Sequence, residues 1–257
     1  MKPLFESRCY YTQTNGKRLA NPLRVRRSVG ERWLARNFEQ VEAVAHTGNG
    51  LVDLWEASPV RLDSNEPKTG QIIDILFPGN LLLCCGWSRF HFDTRLRRHW
   101  YKLQDLQFIV PNPMMAAVGL TQEGQLSAHA VSNTGRRRFL IIEFDFKAGI
   151  SHEETRLLER LATEGRDVKD LCAALLLHLA EKAPLALAVH SGAKSLHGWF
   201  YCAGVPEEKV RGFLNYAVSL GADSSHWTPS QFARMPDGPR ENGIRQTVYF
   251  LNPGVLE

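Results

Sequence analysis

Phe139, Leu140, Ile141, Ile142, Phe144 and Phe146 form an apolar run broken only by Glu143 and Asp145. A short run this rich in β-branched and aromatic residues reads as a strand. Side chains alternate along a strand, so Glu143 and Asp145 at i and i+2 share one face. Ile142, Phe144 and Phe146 then point together towards a core. The fold must therefore seat this strand in a sheet and present two carboxylates from its other face.

The segments that follow have clear periods. Ser151 with Glu154 three residues on is a capping-box signature for a helix running to about residue 163. Asp167 caps a second helix, in which Val168, Leu171, Cys172, Leu175, Leu176 and Leu179 fall on a single stripe. Pro184 ends it, and residues 185–189 and 196–202 read as an antiparallel pair of strands. Pro206 opens a helix that buries Val210, Phe213, Leu214, Ala217 and Val218, and Gly221 stops it. Further strands are predicted near residues 231–235 and 246–251. This order predicts an α+β fold, with helices on one face of a mostly antiparallel sheet and the other face open.

Upstream, Ser28 and Glu31 suggest a cap for a helix running towards Ala45, and residues 70–77 read as a short helix. Residues 81–85 and 106–110 read as strands, with a helix over 93–103 between them. The expected organisation is an N-terminal α/β module over 1–135, with a basic extension, packed on a sheet module over 136–257. A cleft separates the modules, and together they make one domain.

Composition excludes several classes. Of 257 residues 44% are hydrophobic and 23% charged, which is ordinary for a globular protein. No apolar run approaches the ~18–20 residues of a membrane span. The first residues lack the order of a signal peptide, so the cytoplasm is the expected compartment and no membrane partner is expected. Five cysteines without a C-x-x-C pair give neither a disulfide framework nor a zinc ribbon, and Cys84 and Cys85 read as buried strand residues. Net charge is only +4, but basic residues cluster over 1–36, at Arg95, Arg97 and Arg98, and at Arg136, Arg137 and Arg138. Such clusters track a phosphate backbone or form a solvated face.

Two carboxylates on one rigid strand, with a third from elsewhere, suit a pair of hard cations; an acidic outer strand face is the plainer reading. Downstream, Gly192 permits a tight turn, and Lys194, Ser195 and His197 lead into a strand. Ser195 and His197 share a face, so the turn offers a cation, a hydroxyl and an imidazole to phosphate; an ordinary hairpin with a surface lysine is the alternative. Asp223 follows a helix C-terminus, where a cation or solvent must compensate it. Arg234, inside a predicted strand, needs an anionic partner: a phosphate or a structural carboxylate. No G-x-S-x-G, H-E-x-x-H or P-loop pattern occurs. Phe90-His91-Phe92 holds a single histidine and so lacks the paired histidines of a rolling-circle nuclease.

E-x-D on a strand, K-S-x-H entering a strand, then Asp followed by T-x-x-x-x-x-R resembles the archaeo-eukaryotic primase superfamily. The wording around these motifs is similar to the branch found in bacterial plasmids, phages and integrated elements. Examples are the segment from Phe108 to Pro113, Asn133 to Arg137, Lys194 to Phe200 and Glu241 to Gln246. The likeness spans roughly residues 70–253. It implies an RRM-like catalytic sheet packed on an N-terminal α/β module, and a primase-polymerase that copies single-stranded DNA from nucleoside triphosphates. Glu143, Asp145 and Asp223 would be the catalytic metal ligands for two Mg²⁺ or Mn²⁺ ions, with Asp223 preferred to Asp237. Lys194, Ser195, His197 and Arg234 would bind the nucleotide. A replicative helicase, in trans or as a fused domain, would be the partner. The chain departs from the pattern in carrying Glu at the first acid and no zinc-binding Cys/His cluster. The alternatives are an inactive RRM-like nucleic-acid-binding module and a metal-dependent nuclease.

Overall fold

The structure, a computed structural model, describes residues 32–62 and 68–256. It opens with three short helices, α1 (Phe38–Ala45), α2 (Leu51–Glu56) and α3 (Thr69–Leu76), then a hairpin of β1 (Leu82–Gly86) and β2 (Phe92–Leu96). The short strands β3 (Phe108–Ile109), β4 (Gly119–Leu120) and β5 (Leu126–Ser127) follow. The remainder runs β6 (Phe139–Phe144), α4 (His152–Thr163), α5 (Val168–Ala180), β7 (Leu185–His190), β8 (Leu196–Tyr201), α6 (Glu207–Ser219), β9 (Ala233–Arg234) and β10 (Val248–Leu251). The fold is a mixed α+β arrangement of antiparallel sheets. Among the described residues no helix is long and apolar enough to cross a membrane.

Helices α4, α5 and α6 begin where the sequence says they should. Asp167 accepts the Lys169 N–H at 2.7 Å and its own N–H donates to Asp170 at 2.9 Å, a complete capping box for α5. Ser151 caps α4 through the Glu154 N–H at 3.1 Å, but Glu154 does not reach back. Its carboxylate accepts the Lys147 N–H and pairs with Arg36, anchoring the loop after β6 instead. Asn37 caps α1, and residues 32–37 before it are not helical, so the helix expected to run from a Ser28–Glu31 cap begins at Phe38 instead; Ser28 and Glu31 themselves lie outside the described residues.

The central sheet has the order β10-β7-β8-β6, antiparallel at each pairing. With α4 and α5 between β6 and β7, and β8 inserted between these strands, it contains a split βαβ unit. β10 borders β7, the second of these strands, whereas an RRM-like sheet carries its fourth strand beside the first. Residues 222–223 take that place: Ala222 bridges Phe144, and the Asp223 N–H donates to the Glu143 carbonyl at 3.0 Å.

Strand parity divides the core. Leu140, Ile142, Phe144, Leu196 and Phe200 pack under α1, α4, α5 and α6. Phe139, Ile141, Leu187, Val189 and Trp199 point the other way, onto Ile72, Ile73 and Leu76 of α3 and onto Leu83, Cys85, Ile109 and Ala233 of the second sheet. The expectation of one open face is therefore corrected: the sheet is the middle layer of three. Both residue parities of β6 are apolar up to Glu143, which is the pattern of a strand buried on both sides. Gly198 permits this closeness, since a Cβ there would lie 2.5 Å from Leu176 Cδ2 of α5.

The second sheet runs β2-β1-β3-β9, so β9 of the C-terminal segment completes a sheet begun by the N-terminal one. One compact unit starts at Trp33 and holds both segments. The helix expected over 93–103 is instead β2 followed by single turns at Arg97–His99 and Leu103–Asp105. Pairing of β2 with β1 decides this: Thr94 is buried beneath the sheet while Asp93 and Arg95 pair at 2.7 Å on its outer side. Cys84 and Cys85 are buried as expected, and burial pushes the Cys84 thiol up to about 12.

Asn112 ties the layers together. Fully buried, it accepts the Arg138 and Phe139 N–H groups at 2.6 and 3.0 Å and donates to the Pro229 carbonyl at 2.7 Å. Asn112→Ala leaves buried N–H groups at the start of β6 unpaired, and urea denaturation should show a loss of about 2–4 kcal/mol.

Candidate metal centre and anion cleft

In the β6–β8 register Glu143 stands directly opposite His197, which places their side chains on the same face. That face is the one covered by the second sheet, and Glu143 lies near its end, where cover gives way to solvent. The carboxylate keeps 23% of its surface, against 4% for the His197 ring. A third group arrives from the single turn Ser224–Trp227 that follows Asp223. His226 Nε2 lies 2.9 Å from Glu143 Oε2, and His197 Nε2 lies 3.4 Å from Glu143 Oε1. The two rings meet edge to face, their centroids 5.9 Å apart.

Electrostatically the cluster is tight. Burial pushes the Glu143 carboxyl up, but the His197 and His226 imidazoles outweigh that and hold it well below the usual carboxylate range. The Nδ1 atoms of both rings are buried with no hydrogen-bond partner, so the polar contacts of the pair are made through Nε2.

The donor set fits a metal ion. One ligand atom from each of Glu143, His197 and His226 lies within 4.8 Å of the others. Ligand atoms bound tetrahedrally at ~2.1 Å stand about 3.4 Å apart, so the three groups, with ligand atoms no more than 4.8 Å apart, need only small movements to share one ion. A carboxylate with two imidazoles suits a borderline transition ion better than Mg²⁺, which favours oxygen.

The three expected acids do not form one cluster. Asp145, just past the end of β6, pairs with Lys147 at 2.7 Å. Asp223 accepts the Ser225 N–H and hydroxyl, both at 2.8 Å, and so caps the turn that carries His226. Among the described residues only Glu143 of the three joins a metal-competent group. Asp237 is committed elsewhere: with φ of 58° it holds the Lys68 N–H at 2.5 Å and sits 3.6 Å from Arg245.

The expected phosphate seat is better assembled. Ser195 Oγ donates to Ser191 Oγ at 2.9 Å and lies 3.4 Å from His197 Nε2, so the hydroxyl adjoins the metal-competent group. Gly192 adopts φ of +75°, and the space a Cβ would take there is filled by Arg240. Arg240 donates to the Ser191 carbonyl at 3.0 Å, bracing the turn, while Lys194 is exposed. Arg234 lies 4.8 Å above the Phe108 ring, without an ion pair among the described residues. Burial lowers its pKa, as do Arg240 and Arg89 nearby, while Glu143 and Glu241 act in the opposite sense. Gln107, Phe108, Arg234, Arg240, Glu241 and Asn242 line an open cleft of about 210 Å³.

His226, Arg240 and Arg89 were not singled out in the sequence. His226 has no motif spacing to Glu143; the Ala222–Phe144 bridge, the Asp223 N–H bond to the Glu143 carbonyl and the Asp223 cap bring it there. Within the two later basic clusters, Arg137 donates to the Trp227 carbonyl and pairs with Glu207, Arg138 donates to the Leu76 carbonyl, and Arg97 pairs with Asp74. Most of the first cluster lies outside the described residues.

Compared with known proteins, the chain matches no family model, no curated protein and no solved structure.

Two outcomes follow from the cluster. Titration calorimetry with Mn²⁺ should show binding that His226→Ala weakens by more than about tenfold, the loss that even disturbing a ligand's outer partner produces. Because the folded Glu143 carboxyl is held low, its stabilisation is present above its unfolded value of about 4.3 and is lost as pH falls through the folded value. The stability advantage of the protein over Glu143→Gln, measured by urea denaturation, should therefore be larger at about pH 5 and shrink at more acid pH.

Proposed function

We propose that this protein is a primase-polymerase that transfers nucleotides onto a primer strand or an initiating nucleotide, directed by single-stranded DNA and dependent on divalent metal. One observation carries the reading. Glu143, His197 and Ser195 converge at one end of the β6–β8 pair, and Arg234 stands within electrostatic reach of Glu143. A cation seat thus adjoins an anion seat, which a metal-bound triphosphate requires. The split βαβ unit supports an RRM-like origin for the sheet, with β10 moved to the β7 edge.

Arg234 presents a planar fork of donors to phosphate oxygens, and its partial burial strengthens each contact. Ser195 adds a hydroxyl donor and Lys194 a mobile charge at the mouth of the turn. Arg240 holds the turn in shape through the Ser191 carbonyl. Glu143, with His197 and His226, would hold a first ion; two-metal chemistry also requires Asp145 and Asp223 to leave Lys147 and Ser225 and turn towards the site. Ions held there would supply Lewis-acid stabilisation of the leaving pyrophosphate and would acidify the attacking 3′-hydroxyl.

A second reading, a non-catalytic nucleic-acid-binding module, draws support from the engagement of Asp145 with Lys147 and of Asp223 with Ser225. It predicts no metal-dependent nucleotide binding by calorimetry, whereas the polymerase reading requires it.

Glu143→Gln combined with Asp145→Asn keeps side-chain shape and removes both charges. Primer synthesis on a single-stranded template with Mn²⁺ should fall at least about a hundredfold, with thermal unfolding of the variant monitored alongside. Undiminished synthesis by this variant rejects the assignment. Shortening of a labelled strand in place of its extension would identify a nuclease.

A further inference from the structure

The β1–β2 hairpin ends in Trp87-Ser88-Arg89-Phe90-His91, and its tip is ordered from within. Ser88 Oγ accepts the Phe90 and His91 N–H groups, each at 3.1 Å, and lies 3.1 Å from His91 Nδ1. The Trp87 N–H donates to the His91 carbonyl at 3.0 Å. This bracing presents Phe90 to solvent with 88% of its surface exposed, although nothing in the hairpin's own packing needs an aromatic ring there.

The surroundings are cationic. Arg89 lies 6.0 Å from the centre of the Phe108 ring, and Arg234 approaches the same ring at 4.8 Å. Arg240 borders the same cleft. Among the described residues none of Arg89, Arg234 and Arg240 forms an ion pair, and Glu241 is the single carboxylate lining the cleft. Three arginines against one lining carboxylate favour an anionic occupant, and an adjacent exposed ring favours one with flat apolar faces.

We infer that the hairpin tip is a single-stranded nucleic-acid contact, with a base stacked on Phe90 and the adjoining phosphates held by Arg89 and Arg240. Alternating planar bases and phosphates match a rigid ring set beside guanidinium groups. A protein partner is a poorer match, because Phe90 stands on a narrow tip beside unpaired cations and not on a broad apolar face. Arg89 approaches Phe108, Phe108 shares its cleft with Arg234 and Arg240, and Arg240 braces the turn ahead of His197, so a strand lying along these residues would approach the metal-competent group. The inference rests on the nucleotide-polymerising reading only for the identity of the strand as template or primer.

The test is fluorescence anisotropy of labelled oligothymidylate and oligouridylate, about 16 nucleotides long, with the full chain and with neither metal nor nucleoside triphosphate. Phe90→Ala should weaken binding about tenfold and Phe90→Trp should restore it, with thermal unfolding unchanged because the ring is exposed. Arg89→Ala should weaken binding and reduce the dependence of log K on log salt by about 0.7. Tighter binding of the thymidylate marks DNA as the ligand, tighter binding of the uridylate marks RNA, and either supports the contact. The inference is overturned if the protein binds neither oligonucleotide, or if Phe90→Ala or Phe90→Leu binds as well as the parent. Oligonucleotide binding that depends on Phe90 in a protein without synthetic activity would reject the polymerase reading and leave this contact standing.

Discussion

The register between β6 and β8 is the constraint on which the rest of the structure depends. Phe139 faces Tyr201, Ile141 faces Trp199, and Glu143 faces His197. Because side chains alternate with a period of two, a slip by one residue would drive Glu143 into the helix-covered core and turn Ile142 and Phe144 the other way. Burial of the sheet on both faces makes such a slip costly on either side. The same pairing therefore secures the core and sets a carboxylate against an imidazole.

The site occupies an end of the sheet where a charge keeps access to solvent. At the end of β6 the apolar cover from α3 and the second sheet gives out, and Glu143 keeps partial contact with solvent while both histidines remain buried. Two buried rings pointing Nε2 at one carboxylate form a high-stakes polar cluster, because an unpaired charge there costs far more than the pair returns. The Asp223 cap and the Ala222–Phe144 bridge are what hold His226 in that arrangement. Around it, Arg234 and Arg240 add positive charge that no ion pair among the described residues neutralises.

Much of this was legible from local pattern. The helices from Ser151, Asp167 and Pro206 begin within a residue of their sequence signals, because caps and amphipathic stripes are local effects. The β7–β8 hairpin and the shared face of Ser195 and His197 follow from the strand period. Where local signals competed with pairing they failed. Residues 93–103 carry the charges of a surface helix, yet β1 recruits the first of them as an edge strand. Glu154 has the position of a capping-box partner, yet Arg36 and the Lys147 N–H claim it. The i, i+2 spacing of Glu143 and Asp145 holds only while the strand lasts, and β6 ends at Phe144.

The sequence by itself determined the order of helices and strands from β6 onward, the apolar strand that carries Glu143, and the polar turn that carries Ser195 and His197. Each of these rests on spacing within a few residues. Tertiary structure alone decided that the sheet is covered on both faces, that β9 crosses into the second sheet, and that His226 joins Glu143 and His197. It also decided that Asp145 and Asp223 turn to Lys147 and Ser225. These outcomes depend on which distant segments meet, and no local period encodes a contact between residues 143 and 226.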